Sequence, residues 1–142
     1  MQVDFKTPDK DLMKQITACV KEYVLDDEGL LANQFIAAIH NNRLVGFVRL
    51  RPHSDCDELC TLGVIEQYRK KGIGKALVEE VKKKSFKVLY LVCIIPTFFD
   101  KLGFNVIENN IPASMKRKWS RCTNDYVVEE EYCVMQLQNK NA

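Results

Sequence analysis

The sequence predicts a single α/β domain built on a mixed sheet, on three observations. The chain has 142 residues, about the size of one compact domain. An amphipathic helical pattern near its start is followed by two apolar runs separated by an asparagine pair, as in an antiparallel hairpin. Farther on, an apolar run, a helical pattern and a second apolar run come in succession, as in a strand–helix–strand crossover.

Thr7-Pro8 reads as a helix start, a capping hydroxyl followed by proline in the first turn. Leu12, Ile16, Cys19, Val20 and Tyr23 then recur at helical spacing, and the segment from Leu25 to Gly29 breaks the helix. Asn33 to Ile39 and Leu44 to Leu50 read as strands joined through Asn41 and Asn42, residues that tolerate positive φ. Pro52 to Asp57 is a polar turn and Glu58 to Ile65 a third strand. Lys71 to Ser85 is helical, with Ala76, Leu77, Val78 and Val81 inward and Lys82-Lys83-Lys84 outward. Lys87 to Ile95 is apolar almost throughout, as expected of a strand buried on both faces. Pro96 opens a short helix to Leu102, Gly103 ends it, and Phe104 to Ile107 starts another strand. Pro112 to Arg121 reads as a basic surface stretch carrying Trp119, Glu131 to Gln138 as a last strand, and Asn139 to Ala142 as a frayed tail.

Composition narrows the class. A hydrophobic fraction of 46% with 28% charged residues excludes a disordered chain. Twenty-one Lys and Arg against nineteen Asp and Glu leave a net charge of +2, too little to argue for nucleic acid. No apolar run approaches the roughly 18 residues of a membrane span, and the first twenty residues alternate charged and apolar groups, so neither a span nor a secretory signal is expected. The six cysteines lack paired C-x-x-C knuckles, and no metal is expected; they read as reduced thiols of a cytoplasmic protein.

The segment Arg69-Lys70-Lys71-Gly72-Ile73-Gly74-Lys75 carries the most chemistry. It lies where a strand gives way to a helix. Such a turn leaves backbone N–H groups unpaired at a helix N-terminus, and those donors, the helix dipole and nearby cations favour a phosphate or pyrophosphate. A P-loop would need glycine in place of Arg69 and Ser or Thr in place of Ala76, and a dinucleotide fingerprint would need Gly or Ala in place of Leu77.

Leu62-Gly63-Val64 precedes this turn and Phe98-Phe99-Asp100-Lys101-Leu102-Gly103-Phe104 follows one strand later. The ordered set resembles the GNAT superfamily of acetyl-CoA-dependent N-acetyltransferases, over about residues 33–107. The resemblance implies one domain over residues 1–142, with a central, mostly antiparallel sheet whose splayed strands are flanked by helices. It implies acetyl-CoA as co-substrate, with the backbone of Leu62, Gly63 and Val64 pairing with the pantetheine arm. The N–H groups from Arg69 through Lys70, Lys71, Gly72, Ile73 and Gly74 to Lys75 would hold the pyrophosphate.

The acceptor would be an amine, which attacks the thioester only after losing a proton. Glu58, a carboxylate among Leu59, Cys60 and Leu62, is the candidate base; the competing reading pairs it with Arg49 or Arg51 across the hairpin. Members of the family often protonate the leaving thiolate with a tyrosine where this chain has Phe99; Cys93, Tyr90 and Tyr132 are the alternatives. Arg49 and Arg51 share one strand face and would suit a substrate carboxylate. The fragments 58–64 and 98–104 also look like the N-acetylglutamate-synthase branch, which implies a small amino-acid acceptor. A silent acyl-CoA sensor and a protein or peptide N-acetyltransferase are the alternatives, and the family suggests a homodimer.

Overall fold

The computed structural model of the chain describes residues 1–126 and 128–138. Along it run β1 (Asp4–Lys6), α1 (Lys10–Glu22), β2 (Phe35–His40), β3 (Arg43–Pro52), β4 (Asp57–Val64), α2 (Ile73–Lys84), β5 (Leu89–Cys93), α3 (Pro96–Asp100), β6 (Phe104–Ile107), α4 (Ala113–Asp125) and β7 (Cys133–Leu137). The strand order is β1-β2-β3-β4-β5-β7-β6, with β4 and β5 parallel and the pairs β1–β2, β2–β3, β5–β7 and β6–β7 antiparallel. This is the mixed α/β sheet that the sequence predicts. The chain separates into two compact units, one of residues 1–51 and 59–84, the other of residues 52–58 with the chain from Ser85 onward. The tail from Asn139 lies outside the described residues.

In the first unit the hairpin forms as expected, because Asn41 (φ 50°) and Asn42 (φ 61°) both take the left-handed conformation that a tight antiparallel turn requires. Helix α1 starts later than Thr7-Pro8 suggests. Its cap is Asp9, whose carboxylate accepts the Leu12 N–H at 2.8 Å and sits at the positive end of the helix dipole. Leu12, Ile16 and Val20 of α1 pack with Phe35, Leu44 and Phe47 of the hairpin. Strand β4 lies so close to Phe47 that Gly63 has no room for a side chain. An added Cβ would stand 2.9 and 3.0 Å from two atoms of that buried ring and nearer still to a third. Just before it, Thr61 holds a positive φ of 51° and donates its hydroxyl to the Asp26 carbonyl at 3.0 Å, which breaks the regular pleat of β4.

In the second unit β7 lies between β5 and β6. The stretch expected to be a basic surface segment is the helix α4. Its inward stripe is Met115, Lys118 and Cys122, at helical spacing. Asp55, in the turn between β3 and β4, caps it, accepting the Ser114 N–H at 3.2 Å and its hydroxyl at 2.6 Å. The Ser114 hydroxyl is the main reason that the Asp55 carboxyl is held down at about 2. Asp57 ties the start of β4 to the approach to β5: one carboxylate oxygen accepts the Ser85 hydroxyl and the Phe86 and Lys87 amides, each at 2.9 Å. Pairing of β4 with β5 is registered at Asp57↔Leu89 and Glu58↔Tyr90, and β4 runs on from Leu59 to Val64.

Candidate functional site

The glycine turn leads directly into α2. A 3-10 turn over Glu66–Tyr68 ends at Arg69, Lys70 takes a positive φ of 65°, and Gly72 one of 82°. The first amide to bond back along α2 is that of Ala76, to the Gly72 carbonyl at 3.1 Å. The amides of Ile73, Gly74 and Lys75 therefore come before the first intrahelical bond, with the dipole behind them. Arg69, Lys70, Lys71 and Lys75 are exposed, whereas the side chain of Ile73 is buried and anchors the turn.

Two details narrow the expected cradle. The Arg69 amide already donates to the Glu66 carbonyl at 3.2 Å, so the open donors lie farther along the turn. The Arg69 side chain is also held, its Nε donating to the Val64 carbonyl at 3.0 Å and its guanidinium stacking 4.9 Å from the Tyr23 ring centroid. This leaves its terminal nitrogens for an anion but takes up the Val64 carbonyl. Leu62 and Val64 are partly exposed.

Glu58 stands at the start of the same strand and is 1% exposed. Its partners are not Arg49 or Arg51. Oε1 lies 2.8 Å from His53 Nε2, and Oε2 accepts from Lys118 Nζ at 2.5 Å. Burial pushes the Glu58 carboxyl up, but the His53 hydrogen bond and the Lys118 charge outweigh it and bring the group below its ordinary value. Lys118 is itself buried. The main chain of His53 is held at both ends, its N–H donating to the Cys56 carbonyl at 2.8 Å and its carbonyl accepting from the side-chain Nζ of Lys87.

The two strand arginines are engaged elsewhere. Arg49 is 1% exposed, and its Nε and two terminal nitrogens donate to Gln34 Oε1 at 2.8 Å, the Glu28 carbonyl at 2.7 Å and the Gly29 carbonyl at 2.6 Å. That geometry gives Arg49 to the segment after α1 rather than to a substrate carboxylate. Arg51 stays nearer the surface and pairs with Glu28 at 2.9 Å.

Phe99 is a core residue in edge contact with Phe98 and Phe104. Among the alternative acids, burial pushes the Cys93 thiol up to about 12, too high to protonate a thiolate of ordinary basicity readily. Burial also raises Tyr90 and Tyr132, which makes both phenols weaker acids. Several of the lysines are paired within the chain. Lys82 and Lys83 meet Glu79 and Glu80, Lys87 reaches His53, and Lys118 reaches Glu58.

The sequence model of the Acetyltransferase (GNAT) family matches residues 4–104. The chain belongs to the GNAT acetyltransferase family. Among curated relatives, an uncharacterized N-acetyltransferase, CT2212 of Chlorobaculum tepidum, is 30% identical over 71 residues, which cover 47% of this chain and 44% of that one. Among solved structures, N-acetylglutamate synthase from Neisseria gonorrhoeae, complexed with coenzyme A and L-arginine, superposes with a TM-score of 0.76 at 17% identity. That superposition covers 96% of this chain but 34% of the synthase. Rv2747 from Mycobacterium tuberculosis, solved with CoA, gives a TM-score of 0.77 at 20% identity over 96% of this chain and 99% of its own. At these identities the superpositions establish the GNAT fold. Among the described residues no helix is long and apolar enough to cross a membrane.

The sequence gives neither His53 nor Lys118 as a partner of Glu58. Lys118 left a trace in its spacing with Met115 and Cys122, which places a cation on an otherwise inward stripe. His53, in a short polar turn, left none.

Proposed function

We propose that the protein is an N-acetyltransferase that moves an acetyl group from acetyl-CoA to the primary amine of a small molecule, with an amino acid as the favoured acceptor class. One observation carries the reading. The open amides of Ile73, Gly74 and Lys75 follow a positive-φ glycine and are surrounded by exposed Arg69, Lys70, Lys71 and Lys75. A diphosphate needs several fixed donors, positive charge and room for close approach, and this turn offers all three. Leu62, Gly63 and Val64 lie upstream on β4, where the pantetheine arm would add to the strand edge by main-chain hydrogen bonds. The Val64 carbonyl, already bonded to Arg69, is the weakest of those contacts.

Acetyl-CoA supplies the activated acyl group. The chain's part is to bind it, orient it and remove the ammonium proton of the acceptor. Glu58, on the same strand as the pantetheine edge, is the centre of that proton chemistry. The amino-acid preference rests on the likeness of residues 58–64 and 98–104 to the N-acetylglutamate-synthase branch. Arg51, whose Glu28 partner is half exposed, is the cation left to meet a substrate carboxylate.

Free-thiol release from acetyl-CoA, measured across amino acids, polyamines and short peptides, tests the reading. Transfer to amino acids supports it, and transfer confined to peptides replaces the acceptor class. Thermal stabilisation by acetyl-CoA without thiol release would indicate the sensor alternative; at a hundredfold excess over Kd the stabilisation is about 2.7 kcal/mol.

A further inference from the structure

Both oxygens of the Glu58 carboxylate are occupied, Oε1 by His53 and Oε2 by Lys118, and the residue is 1% exposed. A base must touch the ammonium it deprotonates or reach it through one water. Glu58 is poorly placed to do either, whereas the His53 side chain, 16% exposed, is the open member of the cluster.

We infer that His53 Nδ1 accepts the proton of the incoming amine, with Glu58 and Lys118 as positioning residues; this assignment rests on the acetyl-transfer reading above. An ionised carboxylate only accepts hydrogen bonds, so the 2.8 Å contact with Glu58 Oε1 requires that His53 Nε2 carry the hydrogen. In the neutral ring Nδ1 then holds a lone pair, and among the described residues nothing bonds to it. Lys118 keeps Glu58 ionised and fixes its second oxygen. The backbone bonds to Cys56 and Lys87 hold the histidine in place. The arrangement follows the logic by which a buried carboxylate sets the tautomer of a catalytic histidine and stabilises the imidazolium that forms.

The step balances. An N–H bond of the substrate ammonium breaks and its proton goes to Nδ1, giving an imidazolium that faces the Glu58 carboxylate. The freed amine lone pair attacks the thioester carbonyl; the C–N bond forms and the C–S bond breaks. The departing sulfur takes the second nitrogen proton, and the imidazolium returns its proton to water. The charged and titratable groups around the ring are Glu58 on β4, Lys118 on α4, Lys87 ahead of β5, and Asp55 and Cys56 in its own turn.

The tautomer can be read without turnover, because the chain has two histidines and their partners require opposite forms. His40 Nδ1 lies 2.7 Å from the Gln2 carbonyl and must carry the hydrogen there. Long-range ¹H–¹⁵N spectra at neutral pH should show one ring protonated at Nδ1 and the other at Nε2, with the Nε2–H signal lost in His53→Gln. A His53 ring protonated at Nδ1 overturns the assignment. In kinetics, His53→Gln should lower kcat about 10²–10⁴-fold with acetyl-CoA affinity unchanged and remove the acid limb of the kcat/KM profile. Glu58→Gln should lower kcat less than His53→Gln does, because the ring stays in place but loses the carboxylate that fixes its tautomer and faces the imidazolium. Wild-type transfer that survives in His53→Gln sinks this assignment alone; a wild type that binds acetyl-CoA but acetylates no amine sinks the transfer reading with it.

Discussion

Replacing Lys118 with Met tests the buried cluster most severely, because it removes the cation while keeping a long unbranched side chain in the α4 stripe. Packing changes little, and the effect is electrostatic. Glu58 and Lys118 are 1% and 7% exposed, so the carboxylate left behind has little water to solvate it. Breaking a buried ion pair from one side costs about 3–5 kcal/mol, and the surviving His53 contact puts this variant toward the lower end. Urea unfolding followed through Trp119, the single tryptophan, reads the loss directly.

The pH dependence gives a second, signed readout. In the wild type Glu58 is depressed below its ordinary 4.5, so its contribution is fully present above that value and is lost as pH falls through the folded value. From pH 8 to 5 it is flat. In Lys118→Met burial acts without the lysine charge, the carboxyl rises above its unfolded value, and stability should increase as the pH is lowered from 8 to 5. Adding Glu58→Gln to the variant should recover part of the loss. A variant within about 1 kcal/mol of wild type, with a parallel pH curve, would refute the account of the cluster.

Two further outcomes follow from the glycines. Gly63→Ala should destabilise the protein by about 1–3 kcal/mol in thermal or urea unfolding, because the new methyl meets the buried Phe47 ring. It should also weaken acetyl-CoA binding by displacing β4. Gly72→Ala should cost about 1–3 kcal/mol from its positive φ alone, since an added Cβ there meets no protein atom within 4 Å. A larger loss in acetyl-CoA affinity by calorimetry would report how closely the ligand approaches the turn.

What the sequence reveals and what it hides divides along local and distant interactions. The hairpin is legible because Asn41 and Asn42 state their own backbone preference. The crossover and the glycine turn are legible because apolar runs and glycines are local signals. Helix α4 is hidden because its inward stripe includes Lys118, which reads as surface. That cation is tolerated inside only because Glu58, sixty residues earlier, meets it there. The same separation hides the true partners of Glu58 and makes Arg49 look like a substrate ligand, when carbonyls from the segment after α1 surround it. Strand β1, at three residues, is too short to show a period. The start of α1 is ambiguous because Thr7 and Asp9 are both good caps, and the carboxylate prevails.

Backbone amide shifts during titration with coenzyme A report on the glycine turn itself. The largest changes should fall at Gly72, Ile73, Gly74 and Lys75, with the Arg69 amide, already bonded to Glu66, serving as an internal control that moves little. Saturable binding that leaves those four amides unmoved would contradict the assignment of the diphosphate to this turn.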